Sequence, residues 1–95
     1  MSAPRVRGYS LSGKCGSGTT GDVYSAIRLQ NWQEVAVKFV PRSHRRTGLI
    51  ELSILRRLRR VGDEHPNIVR LIDAITDGIV GGGIAIILER ELWHR

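Results

Sequence analysis

Residues 13–38 read GKCGSGTTGDVYSAIRLQNWQEVAVK, a glycine-rich segment that runs into a valine-rich one. Gly16, Gly18 and Gly21 form a G-x-G-x-x-G pattern, and Val23 follows two residues after the last glycine. The apolar run Val35-Ala36-Val37 then ends on Lys38. A glycine turn followed by a strand that closes on one lysine is a way to hold a nucleotide's phosphates.

Working outward, residues 9–15 suit a first strand, and 16–21 are too rich in glycine for helix or strand interior. Residues 22–29 alternate: Val23, Ser25 and Ile27 fall on one face, Tyr24, Ala26 and Arg28 on the other. After the polar turn 30–33, a valine-rich third strand over 34–40 is stopped by Pro41. Residues 42–47 read as a basic loop. From Leu49 the period becomes helical, with Glu51, Ile54, Leu55 and Leu58 on one face and Arg56, Arg57, Arg59 and Arg60 mostly opposite. Gly62 and Pro66 bound this helix. A fourth strand over 68–75, a glycine turn over 76–83 and a fifth strand over 84–88 complete the order, and 1–8 read as a loose leader. The sum is an α+β layer with one helix on a five-stranded, mostly antiparallel sheet.

Composition narrows the function classes. A chain of 95 residues makes one small domain, and 41% hydrophobic with 25% charged residues is an ordinary globular balance. The net charge of +6 comes mainly from arginine; Lys14 and Lys38 are the only lysines, so a lysine ending a strand stands out. Arginines on a helix usually form a solvated face, and with 5% aromatics there is no stacking platform, so nucleic acid has little support as a partner. Cys15 is alone and cannot form an intramolecular disulfide, which fits an intracellular compartment, cytoplasmic or nuclear. The start has no apolar run after Arg5 and Arg7, Ser2 excludes N-myristoylation, and the apolar stretch 79–88 is too short to span a bilayer. His44, His65 and His94 are scattered, so no metal-ligand spacing is present.

The glycine loop by itself is ambiguous. A dinucleotide-binding turn requires a helix after the last glycine, and here alternating Val23 and Ile27 follow instead. An empty glycine-rich hairpin and a phosphate loop remain equally open on the loop alone. Val23, the Val35-Ala36-Val37-Lys38 strand 17 residues past Gly21, and Glu51 on an apolar helix face separate them. A carboxylate on such a face needs a buried partner, and Lys38 is the candidate of the right type.

With these residues in place the chain resembles the N-terminal lobe of a protein kinase, most similar to cyclin-dependent and related serine/threonine kinases. The resemblance covers roughly residues 9–92, leaving 93–95 just past the hinge. It rests on Gly16-Ser17-Gly18-Thr19-Thr20-Gly21-Asp22-Val23, Val35-Ala36-Val37-Lys38, Glu51-Leu52-Ser53-Ile54-Leu55 and His65-Pro66-Asn67-Ile68-Val69-Arg70-Leu71, in that order. It implies ATP as ligand. Ser17, Thr19 and Thr20 would ride on the loop whose Gly16, Gly18 and Gly21 admit backbone N–H groups to the phosphates. Lys38 would hold the α- and β-phosphates and Glu51 would hold Lys38. Cys15, Val23 and Ala36 would wall the adenine pocket, with Leu88 as gatekeeper behind. Glu89 and Glu91 would offer hinge backbone groups, and Leu55 and Leu71 would belong to an apolar spine.

Departures from the family pattern are equally concrete. The segment leading into the helix glutamate is Arg45-Arg46-Thr47-Gly48-Leu49-Ile50-Glu51, in which Ile50 stands where the family has an arginine that receives the activation-loop phosphate. An activating protein of the cyclin type at this helix is therefore a weaker implication than ATP. The family's Thr-Tyr pair in the loop is Thr19-Thr20 here, read as two turn residues. No H-R-D catalytic loop and no D-F-G motif occurs among the 95 residues. The expectation is the ATP-binding lobe of a kinase, a fragment inactive alone, with Mg²⁺ held by a C-terminal lobe. A free-standing, non-catalytic interaction or nucleotide-binding module is the alternative.

Overall fold

The computed structural model describes residues 3–61 and 70–89. It contains β1 (Tyr9–Ser17), β2 (Asp22–Arg28), β3 (Gln33–Val40), α1 (Arg45–Val61), β4 (Leu71–Ile75) and β5 (Ile84–Glu89). The five strands form one sheet in the order β1-β2-β3-β5-β4, and every neighbouring pair is antiparallel. The α+β layer expected from the patterning is thus the fold. Of the expected fourth strand, residues 68 and 69 lie outside the described residues, as do Gly62 and Pro66.

β5 shows why the sheet sits where it does. Its run Ile84-Ala85-Ile86-Ile87-Leu88 is buried throughout. Side chains alternate across a strand, so a continuous apolar run needs cover on both faces. Ile84, Ile86 and Leu88 join Val23, Ala36, Val40, Leu52 and Leu71 on the helix side. Ala85 and Ile87 join Val6, Tyr9, Ala26, Val35 and Val37 on the other. That second cluster corrects the reading of 1–8 as a loose leader. Val6 is 4% exposed and turns back to bridge Tyr9, so it anchors the leader on the sheet while Arg5, Arg7 and Gly8 stay exposed. The reason is area: without Val6, valines of β3 would face water.

The helix differs from expectation in start and in face. It begins at Arg45, after a 3₁₀ turn Arg42–His44, where a basic loop to residue 47 was expected. Its first turn carries no acidic residue to favour a start. The start is held by tertiary bonds instead: the Arg45 guanidinium donates to Thr76 O at 2.7 Å and Gly82 O at 2.9 Å, in the β4–β5 connection. The buried face runs through Gly48, Leu52 and Leu55 rather than through Ile54, which is 53% exposed. Gly48 sets this rotation. A Cβ there would stand 2.8 Å from Val40 Cγ1 and 2.9 Å from Ile84 Cδ1, so only glycine lets α1 lie this close to the sheet.

Candidate functional site

The β1–β2 hairpin carries the glycine loop at its tip. Gly16 pairs with Val23 and Ser17 with Asp22, with register shifts on the β1 side. Gly18 N–H donates to Gly21 O at 2.8 Å, which leaves Thr19 and Thr20 as the turn between them. Gly21 is required by contact: a Cβ on it would stand 2.1 Å from Phe39 O, on the backbone of β3. Lys14 and Asp22 flank the loop as an exposed pair 3.8 Å apart, which contributes little to stability.

Beneath the loop lies Lys38. β3 places it between Val23 of β2 and Ile86 of β5 in register. Its Nζ donates to Glu51 Oε1 at 2.8 Å and Oε2 at 2.9 Å. Lysine's ammonium has three donors, so the carboxylate takes two and one remains for another acceptor. The Lys38 side chain is 14% exposed and that of Glu51 33%, so the pair is partly shielded from water and its geometry is held on both oxygens. Thr20 Oγ1 also donates to Glu51 Oε1, at 3.3 Å.

An apolar wall continues from this pair. Val23, Ala36 and Leu88 are buried in one cluster with Leu52 and Leu71, with Leu55 packed against it. Ala36 pairs with Leu88, and Leu88 with Leu71, so the three lie in line across the sheet. Cys15, Ser17 and Thr19 are exposed on the hairpin, outside that cluster. Glu89 closes β5, its N–H donating to Arg70 O at 2.9 Å. Glu91 lies outside the described residues, as do His65-Pro66-Asn67.

The structure therefore brings Gly18, Thr20, Lys38 and Glu51 together and sets Val23, Ala36 and Leu88 beside them. Leu52, between the helix and the sheet, and the Thr20 contact were missed by the sequence reading. Leu52 could have been found from its spacing of four from Gly48; nothing local marks Thr20. Chemically the arrangement offers one oriented cation under a loop without side chains at its glycines, next to an apolar surface. Among the described residues no group of His, Cys, Asp or Glu side chains is placed to hold a metal ion, and no helix is long and apolar enough to cross a membrane.

Comparison with known proteins agrees with this geometry. The chain is 36% identical over 76 residues to Cyclin-dependent kinase 12 of Caenorhabditis elegans, covering 75% of this chain and 10% of that protein. It is 36% identical over 77 residues to a "Probable cell division protein kinase" of Encephalitozoon cuniculi, covering 76% of this chain and 27% of the relative. The chain thus spans about a tenth and about a quarter of the lengths of these two relatives. The family model of the protein kinase domain matches residues 9–91, which include the loop, the Lys38–Glu51 pair and the whole sheet. The chain belongs to the protein kinase domain family.

Proposed function

We propose that these residues form the ATP-holding lobe of a protein serine/threonine kinase of the cyclin-dependent type. The observation that carries this reading is Lys38, held on both oxygens of Glu51 under the glycine loop. The ligand fits the donor set: Lys38 has one N–H left over, and the loop glycines carry no Cβ that would hold a phosphate away from the backbone. In this reading Lys38 binds the α- and β-phosphates, and Glu51 is a positioning residue that keeps the ammonium in place. Gly16, Gly18 and Gly21 let the loop approach the phosphates, with Ser17, Thr19 and Thr20 between them. Cys15, Val23 and Ala36 wall the adenine, Leu88 closes its back, and the Glu89 and Glu91 backbones meet its edge. ATP supplies the γ-phosphoryl group and a protein hydroxyl receives it. That transfer belongs to the whole kinase, including its Mg²⁺ site, which these residues do not build.

Isothermal calorimetry of the full chain with ATP tests the reading. Binding is expected to be weak and to fall by at least about tenfold in Lys38→Ala, since a charged hydrogen-bonding partner of the phosphates is lost. ATP binding that survives this substitution unchanged would show that Lys38 has another role.

A second reading concerns the outer face of α1. Ile50 is 55% exposed and Ile54 53%, one helical turn apart, and Leu49 lies beside them. Three exposed apolar side chains on the outer face of α1 support an activating protein, of the cyclin type, that covers them. Titration of the chain with a cyclin should give binding that is lost in the double variant Ile50→Glu, Ile54→Glu; equal binding by that variant removes the reading.

A further inference from the structure

Thr20 does more than complete a turn. Its hydroxyl reaches Glu51, 31 residues further along the chain, at 3.3 Å. The oxygen it meets is the one that accepts from Lys38 Nζ at 2.8 Å. One carboxylate therefore holds both the lysine of β3 and the tip of the glycine loop. The loop lies low as a result: a Cβ placed on Gly18 would come 3.9 Å from Lys38 Nζ. A phosphate oxygen bonded to Lys38 needs about 2.8 Å from Nζ. With Glu51 taking two donors, that oxygen shares the space around Nζ with the Gly18 backbone.

We infer that Thr20 is the latch of a lid: its hydroxyl holds the glycine loop closed on the Lys38–Glu51 pair, and a phosphate-bearing ligand must break this bond to seat. The ligand half rests on the nucleotide reading above; the latch is a property of the free chain. Thr19 differs from its neighbour here, being exposed where Thr20 is half-buried. The device is a competition for one oxygen. When the loop lifts, Glu51 keeps Lys38 and loses only Thr20, so the ammonium stays oriented while the space above it opens. No proton or charge changes hands. A hydrogen bond to an ionised acceptor at a part-exposed site shifts a two-state equilibrium by about fivefold.

Gly18 supplies the reporter, because Thr20 lies inside the turn closed by Gly18 N–H and Gly21 O: its bond to Glu51 steadies that turn, and the Gly18 amide loses protection when the freed turn opens. Its intrinsic exchange rate depends on Gly18 and Ser17, so substitution at position 20 leaves that rate unaltered. Hydrogen exchange of the Gly18 amide is measured by NMR in the full chain without nucleotide. Thr20→Val, which keeps the shape and removes the hydroxyl, is expected to speed exchange by about fivefold. Thr20→Ala should match it, and Thr20→Ser and Thr19→Val should keep the parent rate. ATP affinity should then tighten in Thr20→Val by the same factor, since a closed state no longer competes. Unchanged Gly18 exchange in folded Thr20→Val and Thr20→Ala overturns the latch. Faster exchange with unchanged or weaker ATP affinity keeps the latch and overturns its control of phosphate entry. If no variant binds ATP, the nucleotide reading and that control fall together, and the exchange rates still decide the latch.

Discussion

Glu51 shows how a single side chain can be legible in sequence while its full role is not. Its position on an apolar stretch announced a partner, and Lys38 is that partner at 2.8 Å. Tyr9 carried no such signal. Its hydroxyl donates to Asp73 Oδ2 at 3.3 Å across 64 residues of sequence, on the sheet face away from the helix. Burial pushes the Tyr9 pKa above its ordinary 10.0, and the Asp73 carboxylate pushes the same way against the opposing Arg28. The sign follows from proton binding. Below the unfolded value both states hold the proton and the stability is complete; as pH rises through the higher folded value the unfolded state releases it first and stability is lost. Tyr9→Phe should therefore lose less stability than the parent chain between pH 8 and pH values above 10.0, read as urea unfolding free energy at each pH. Parallel pH curves for the two proteins would show that Tyr9 does not titrate in this way.

At the scale of elements, α1 and the strands behave differently. β3 and β5 were readable because short runs rich in valine and isoleucine, buried on both faces, are bounded by polar or turn residues. The helix was readable in kind but not in phase. Its apolar residues occur on more than one side, so periodicity alone favoured the stripe through Glu51 and Ile54. The close approach at Gly48 selected the stripe through Leu52. Gly48→Ala isolates this cause. Helix propensity alone would make alanine about 1 kcal/mol better, whereas pressing a methyl against Val40 and Ile84 costs about 1–3 kcal/mol. The expected outcome is a net loss of about 1 kcal/mol in denaturant unfolding. A gain in stability would mean that the helix lies further from the sheet than the 2.8 Å between an added Gly48 Cβ and Val40 Cγ1 implies.

For the whole molecule the decisive feature is a sheet with two apolar faces. One is covered by α1 and leads into the site; the other is covered in part by residues at the start of the chain, where Val6 is buried against β3 and β5 neighbours. Val6→Ala should lower unfolding free energy by about 1–2 kcal/mol although it is far from Lys38 in sequence. A change within a few tenths of a kcal/mol, by the same denaturant titration, would return the leader to the loose segment first expected. The family, the succession of strands and helix, and the pairing of Lys38 with Glu51 are legible in the amino-acid order, because each is carried by short-range pattern, residue type and spacing. That α1 starts at Arg45, that Leu52 faces the sheet, that Val6 covers its far side and that Thr20 reaches Glu51 emerge only in the folded chain. Those outcomes depend on distances between segments far apart in the chain. Close packing and the need to satisfy a guanidinium, a carboxylate and an apolar face set those distances, and no local period records them.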